Sequence, residues 1–194
     1  HQVADFFKSI ETGKFDPLGA SHQDGGVNFS IFSYHASLVE LLLFDQVDQA
    51  KPSAVYQLDQ TIYRTGSYWH IFIPGIKAGE LDGYRVYGPY QPDLCLRFDP
   101  LKLLIDPYAR AVVDDHYDRI VASQYGVENL ASSMKSVVID LEDYDWEGDQ
   151  PLRRKINDTA IYEMHVRGFT RHPSSGLSED KRGTYAGLIE KIPY

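Results

Sequence analysis

The sequence is poor in cysteine and in long apolar runs. Cys95 is the single cysteine among 194 residues, so no internal disulfide is possible, which fits a reducing compartment. No apolar run approaches the roughly 18 residues that a membrane-spanning helix needs, and no basic stretch leads into an apolar signal core. From these absences we expect a soluble, cytoplasmic protein without a membrane partner. Because the chain opens with His1 rather than Met, we also expect it to be a piece of a longer protein.

Positive charge is scarce as well. The chain has 19 Lys and Arg against 28 Asp and Glu, a formal net charge of -9, and such a chain repels phosphate backbones, so no nucleic-acid partner is predicted. The sequence has no phosphate-binding loop, paired-cysteine motif, HExxH, GxSxG or dinucleotide fingerprint, and no cofactor is predicted. Aromatic residues are abundant, with 14 Tyr, 9 Phe and 2 Trp. Sugar rings, whose apolar faces lie well on aromatic planes, are the more natural ligand.

An acidic run over residues 140–149 imitates the start of a calcium loop. Counted from Asp143, its spacing matches an EF-hand opening, which requires a bidentate Glu at the twelfth position. Arg154 occupies that position. No metal site is therefore predicted, and the run is interpreted as a solvated interdomain connection.

Short segments of β-strand character recur through the first half of the chain. Turn residues separate them, and no segment of helix length lies between them, which predicts an antiparallel β-sandwich. The strand candidates are residues 27–33, 38–44, 54–58, 68–73, 83–87 and 102–105. Ahead of them, Val3, Phe6, Phe7 and Ile10 have helical spacing and predict a short helix that ends at Gly13.

The stretch from residue 159 to residue 170 has a different character. Its apolar residues come first, and its polar residues Glu163, His165 and Arg167 come late. In a parallel sheet covered by helices the polar groups lie at the C-terminal end of a strand, so this stretch predicts the first strand of a (β/α)8 barrel. The predicted organisation is a leader (1–15), a sandwich (16–112), an interdomain connection (113–157) and an incomplete barrel start (158–194).

Several phrases of the sequence are familiar. DPLGA (16–20), DGGVNFSIFS (24–33), VELLLFD (39–45), WHIFIPGI (69–76), GYRVYGPY (83–90), RFDPLKLLIDPYA (97–109), YEMHVRGFT (162–170) and GTYAGL (183–188) stand in this order. The chain thereby resembles the isoamylase and glycogen-debranching branch of glycoside hydrolase family 13. The resemblance implies an immunoglobulin-like sandwich of the family 48 carbohydrate-binding-module type, followed by a catalytic barrel. One departure is Leu94-Cys95-Leu96, where the family usually has Gly.

The catalytic carboxylates are predicted to be absent from this chain. Glycoside hydrolysis requires two carboxyl groups, about 5 Å apart in retaining enzymes, and the resemblance implies that they lie on middle and late barrel strands. A barrel takes about 250 residues, whereas 37 residues follow Asn157. The phrase from Arg97 to Asp99 imitates the nucleophile strand of the family but stands in the sandwich, so both residues are interpreted as loop anchors.

Four residues are candidates for substrate binding. Trp69 and Tyr90 are candidates for stacking on a glucan, with core packing as the alternative for Trp69. His165 and Arg167 are candidates for the floor of a substrate cleft, and the alternative is a structural polar network that includes Glu163.

The resemblance implies the N-terminal part of an enzyme that hydrolyses α-1,6 branch linkages of glycogen or related α-glucans. Its expected partners are that substrate and the rest of its own barrel. One alternative is a stand-alone glucan-binding or docking module. Another is part of a branching enzyme or trehalohydrolase, although these relatives usually carry an AP-A phrase where this chain has residues 32–36.

Overall fold

The computed structural model describes residues 9–23, 25–142 and 144–193. The chain divides after Asp145 into two compact units. The regular structure of the first is mainly β-strand, and that of the second consists of short helices and turns. None of the helices in the described ranges has the length and apolar composition that crossing a bilayer requires.

The first unit is a sandwich of a four-stranded and a five-stranded antiparallel sheet, with a small hairpin beside them. Its strands are β1 (Gly19–Gln23), β2 (Gly26–Phe32), β3 (Leu38–Phe44), β4 (Ala54–Leu58), β5 (Arg64–Thr65), β6 (Tyr68–Pro74), β7 (Leu81–Tyr87), β8 (Tyr90–Gln91), β9 (Leu96–Arg97), β10 (Ala111–Val113) and β11 (Lys135–Val137). The four-stranded sheet has the order β1-β2-β6-β5, the five-stranded sheet has the order β10-β11-β7-β3-β4, and β8 pairs with β9. This architecture confirms the predicted mainly-β sandwich.

The core lies between the two sheets, because alternate residues of each strand point inward. It is formed by buried apolar side chains from β2, β3, β6 and β7, among them Val27, Phe29, Leu41, Trp69, Ile71, Tyr84 and Val86. Strand β3 is apolar on both faces. Its outward residues Leu42 and Phe44 are covered by Leu103 and Leu130, which explains its nearly continuous apolar sequence.

Two sequence predictions about this unit are wrong in detail. Residues 102–105 do not form a strand, since only Leu104 bridges to Tyr84. Lys102 is bonded to Val121 in α1 (Arg119–Ser123), and Leu103 is bonded to the side chain of Asn129. The interdomain connection does not begin at residue 113 either. Strand β11 lies between β10 and β7 in the five-stranded sheet, so the sandwich extends to residue 137.

The N-terminal leader is in part an element of the sandwich. Glu11 pairs with Phe72 through two backbone hydrogen bonds. The side-chain amide of Asn28 accepts a hydrogen bond from the backbone N–H of Lys14 and donates one to its carbonyl. Residues 11–14 therefore lie along the edge of the four-stranded sheet. The predicted helix over residues 3–10 lies almost wholly outside the described residues.

The second unit contains α2 (Val166–Arg171) and α3 (Tyr185–Ile189), with short 3-10 turns at Ile156–Asp158 and Pro173–Ser175. The predicted barrel strand over residues 159–167 is wrong for this structure, because residues 161–165 have no regular structure and the helix begins at Val166. A parallel strand needs neighbours to satisfy its backbone groups, and the described residues of this unit contain none. Ile161 and Tyr162 are accordingly exposed.

Candidate functional site

Two exposed tyrosines form an aromatic pair on the first unit. Tyr90 lies in β8 and is 48% exposed, and Tyr125 lies in the loop after α1 and is 56% exposed. Their ring centroids are 4.0 Å apart and their planes are inclined by 37°. A solvent-facing aromatic surface of this kind matches the apolar face of a sugar ring.

The hairpin β8–β9 positions Tyr90. Gly88 lies two residues before Tyr90. A Cβ atom at position 88 would lie 2.6 Å from the ring of Phe98, so only glycine lets this ring pack against the backbone. The 3-10 turn Pro92–Leu94 closes the hairpin and ends at Cys95, whose φ of 59° and ψ of 19° are left-handed. The turn therefore keeps the conformation that the missing glycine would favour.

Cross-strand pairing places a cation next to Tyr90. Tyr90 and Arg97 are directly opposite each other in the hairpin, so their side chains project from the same face. Arg97 is exposed, and a guanidinium can donate hydrogen bonds to sugar hydroxyls. The sequence prediction that Arg97 anchors a loop is not tested by any of its described contacts.

Asp99 fastens the loop that carries Tyr125. One carboxylate oxygen of Asp99 accepts a hydrogen bond from the backbone N–H of Gly126 at 2.7 Å, and the other accepts from the N–H of Leu101 at 3.0 Å. This confirms the prediction that Asp99 is a loop anchor. The residue fastened next to Gly126 is Tyr125.

The buried side chain of Lys102 holds the same loop. Its Nζ donates to the backbone carbonyl of Val121 at 2.8 Å and to that of Val127. Beyond the loop, the side-chain oxygen of Asn129 accepts from the N–H of Leu103 at 2.8 Å.

Strand β7 contributes a further tie to the loop. The guanidinium of Arg85 forms an ion pair with Glu128, three residues after Tyr125. The position of Tyr125 is thus set by three side chains from two segments, Asp99 and Lys102 after β9 and Arg85 in β7.

Trp69 does not belong to this surface. Its side chain is 0% exposed, its indole N–H donates to the carbonyl of Ser33 at 3.0 Å, and the guanidinium of Arg64 lies 4.7 Å from the ring centroid. The prediction of Trp69 as a substrate-binding residue is wrong, since the ring is enclosed by the core, and core packing is the correct alternative.

His165 and Arg167 lie in the second unit. The Nδ1 of His165 accepts from the N–H of Gly168 at 2.9 Å and caps α2. Arg167 is exposed, with its aliphatic carbons close to Gly183. Within the part of the chain that the structure describes, no hydrogen bond joins Glu163, His165 and Arg167. The polar network is therefore not formed, and the role of His165 and Arg167 in a substrate cleft stays a prediction.

Within the described residues no three His, Cys, Asp or Glu side chains gather in a way that could hold a metal ion. The Tyr90–Tyr125 surface offers two aromatic rings for stacking, with the guanidinium of Arg97 beside them as a hydrogen-bond donor. It carries no pair of carboxyl groups suited to glycoside hydrolysis.

Sequence comparison finds proteins and a domain family to which this chain is similar. Residues 17–109 match the model of carbohydrate-binding module 48, the isoamylase N-terminal domain. The chain is 42% identical over 184 residues to a glycogen debranching enzyme of Pectobacterium atrosepticum, and 42% identical over 185 residues to one of Yersinia enterocolitica. The alignments cover 92% and 93% of this chain but 27% of each relative. The chain thus spans about a quarter of the length of these relatives.

Structural comparison gives the same fold. A Paenibacillus barengoltzii pullulanase in complex with maltohexaose and α-cyclodextrin matches 93% of this chain and 24% of its own, with a TM-score of 0.60 and 24% identity. A pneumococcal multi-modular glycogen-degrading virulence factor matches 94% and 18%, with a TM-score of 0.64 and 20% identity. Residues 17–109 are thus similar to carbohydrate-binding module 48, the isoamylase N-terminal domain.

Proposed function

We propose that this chain is the N-terminal part of a glycogen debranching enzyme of the isoamylase type, and that its sandwich binds α-glucan through Tyr90 and Tyr125. The 42% identity to glycogen debranching enzymes over nearly the whole chain supports the first statement. The exposed tyrosine pair supports the second.

The arrangement of the pair is the observation that carries glucan binding. Tyrosine rings contribute large contact areas at a small cost in side-chain entropy, since only two torsions become fixed. The loop of Tyr125 is already fastened by Asp99 and Lys102, which reduces the ordering cost of binding. Two rings bind a short glucan weakly, but many chain ends on one glycogen particle raise the apparent affinity by avidity.

Affinity electrophoresis in gels with and without glycogen tests this binding. We expect the wild-type chain to be retarded by glycogen, and Tyr125→Ala and Tyr90→Ala to migrate as they do in plain gels. Tyr34→Ala is the matched control, because Tyr34 is 66% exposed and its ring contacts His35 instead. Equal retardation of wild type and Tyr125→Ala, or no retardation of the wild type, would contradict the proposal.

The catalytic part of the proposal concerns the longer protein. We propose that a (β/α)8 barrel following this module hydrolyses α-1,6 branch linkages in the cytoplasm. The present chain, expressed alone, should release no reducing ends from glycogen, and a chain extended to the full length of its relatives should release them. Release of reducing ends by the 194-residue chain alone would contradict the assignment of the catalytic carboxylates to a later segment.

The alternative of a branching enzyme leads to a different product. A branching enzyme transfers chain segments and leaves the number of α-1,6 linkages higher, whereas a debranching enzyme lowers it. Chain-length analysis of glycogen treated with the extended protein separates the two. The curated relatives at 42% identity favour debranching.

A further inference from the structure

The rings of Tyr90 and Tyr125 are close enough to react with each other. Their centroids are 4.0 Å apart, with the planes inclined by 37°, so carbon atoms of the two rings are in van der Waals contact. Both side chains are about half exposed, so a dissolved oxidant reaches both phenol groups. A phenol that loses one electron and one proton becomes a phenoxyl radical, and two such radicals in contact couple to form a covalent bond.

The fold holds the two rings together from both sides. Tyr90 lies in the β8–β9 hairpin, and Tyr125 precedes Gly126, whose backbone N–H donates to the carboxylate of Asp99 at 2.7 Å. The two rings therefore meet without any rearrangement of the chain. Such proximity converts an encounter between two molecules into a step within one molecule, which is much faster.

Rotation of the two side chains is sufficient to bring the carbons ortho to their hydroxyls together. In a coupled pair of tyrosines the centroids are separated by two ring radii and one carbon–carbon bond, which is close to the present separation. The rings must only turn from partial stacking to an edge-to-edge arrangement. The χ2 torsion of tyrosine is soft, and exposed side chains reorient within nanoseconds, so the backbone need not move.

Two features of the chain favour coupling at this pair over coupling elsewhere. The net charge of -9 makes two copies of the chain repel each other at low ionic strength, which disfavours coupling between copies. Three other tyrosines contact rings that are not phenols and cannot supply a second phenoxyl radical. These contacts are Tyr34 with His35, Tyr68 with Phe15 and Phe32, and Tyr162 with Phe169.

We propose that Tyr90 and Tyr125 form an oxidative modification site, at which a haem peroxidase with hydrogen peroxide joins the two rings as dityrosine. Each phenol loses one electron and its hydroxyl proton, and the two radicals form one carbon–carbon bond between their ortho carbons. Each of these carbons then releases its hydrogen as a proton while each oxygen takes up a proton, which restores both phenols. The electrons and protons removed reduce one hydrogen peroxide to two water molecules. The new bond joins the hairpin to the loop that Asp99 already fastens.

Treatment of the dilute 194-residue chain with a haem peroxidase and hydrogen peroxide tests the site. The chain should stay monomeric on a denaturing gel, gain dityrosine fluorescence and lose the mass of one hydrogen molecule. Proteolysis should then yield one peptide pair, joined through Tyr90 and Tyr125. Tyr125→Phe keeps the ring without the hydroxyl and should lose this cross-link, whereas Tyr34→Phe should keep it. The cross-link should also form in Cys95→Ala, in which the exposed thiol no longer competes for the oxidant.

Thermal unfolding of the cross-linked chain supplies a second measurement. Its melting temperature should exceed that of the untreated chain by roughly 5 °C or more, because the link removes entropy from the unfolded chain. Equal dityrosine yields in Tyr125→Phe and the wild type, dityrosine that maps only to other tyrosines or only between copies, or no dityrosine in both the wild type and Cys95→Ala would overturn the proposal. The cross-link depends on ring contact and not on sugar, so it supports this inference even in a chain that glycogen does not retard.

Discussion

The carboxylate of Asp99 accepts a hydrogen bond from the backbone N–H of Gly126 at 2.7 Å. These two residues are 27 positions apart, and the bond joins the segment after β9 to the loop that carries Tyr125. Asp99 therefore helps to set the distance between the two tyrosines of the proposed glucan-binding surface. Substitution of Asp99 thus tests the effect of loop position on binding, whereas substitution of Tyr90 or Tyr125 removes a ring that is proposed to contact the ligand.

Asp99→Ala should weaken glycogen binding without removing either tyrosine. Loss of the acceptor for Gly126 removes a hydrogen bond worth about 1 kcal/mol. Because other bonds also hold this loop, we expect the affinity to fall by at most about fivefold. Affinity electrophoresis over a series of glycogen concentrations measures the change. Asp59→Ala is the control, since Asp59 accepts comparable local bonds from Thr61. Unchanged affinity in Asp99→Ala would show that the loop holds Tyr125 without this bond.

Cys95→Gly should stabilise the first unit. Cys95 has a φ of 59°, a left-handed conformation that costs a residue with a Cβ about 1 kcal/mol and costs glycine almost nothing. We expect the free energy of unfolding, measured by urea denaturation, to rise by about 0.5–1 kcal/mol after the entropy of the unfolded glycine is taken into account. Cys95→Ala keeps the Cβ and should give no gain. Equal stability of the two variants would contradict the strain at this turn.

Asp82 should make the stability of the chain depend on pH. Its pKa is raised from 3.8 to about 8 in the folded state, first by burial and then by Asp106 and Glu80. The folded state therefore holds the proton more tightly than the unfolded state, and stability is complete below pH 3.8 and is lost as the pH rises toward 8. The slope reaches at most roughly 1.4 kcal/mol per pH unit.

Urea denaturation between about pH 5 and pH 8 measures this slope. Asp82→Asn cannot ionise, so the variant should show a flatter profile and should exceed the wild type in stability near pH 8. If the unfolding free energies of the two proteins change with pH in the same way, ionisation of the buried Asp82 does not destabilise the folded chain.

Variants of Trp69 test whether its ring packs in the core or stacks on the ligand. Its ring is enclosed in the core, so Trp69→Ala should lose about 3–5 kcal/mol of unfolding free energy. Trp69→Phe should lose less and should remain retarded by glycogen to the same degree as the wild type. Loss of glycogen retardation in a folded Trp69→Phe chain, with normal near-ultraviolet circular dichroism, would restore Trp69 as a ligand-binding residue.

The regular strands were predictable because their pattern is local. Strand β2 alternates apolar and polar residues, and β3 is apolar except for Glu40, so the sequence pattern indicates both strands. Strand β11 escaped prediction since it has three residues and begins with a lysine. Lys135 is fully buried, and its Nζ donates to the carbonyls of Val47 and Leu130. These partners lie far away or in a turn, where no sequence period reveals them.

The candidate site was predictable only in part. Tyr90 follows a strand and a Gly-Pro turn, which indicates an exposed position. Tyr125 lies in a polar connection without periodicity, and its place beside Tyr90 depends on bonds from Asp99 and Lys102 across long sequence separations. The enclosure of Trp69 was indicated by the sequence, because it alternates with Ile71 and Ile73 in an apolar strand, which favours core packing over stacking.

The central claim is that Tyr90 and Tyr125 form the glucan-binding surface of this chain, and chemical-shift mapping with maltoheptaose tests it most directly. Amide resonances of residues 88–98 and 124–128 should shift progressively on titration in the isotope-labelled chain, while those of β2 and β4 should stay unchanged. In Tyr125→Ala these shifts should disappear. Absence of shifts in the wild type, or shifts confined to other parts of the sandwich, would contradict the account.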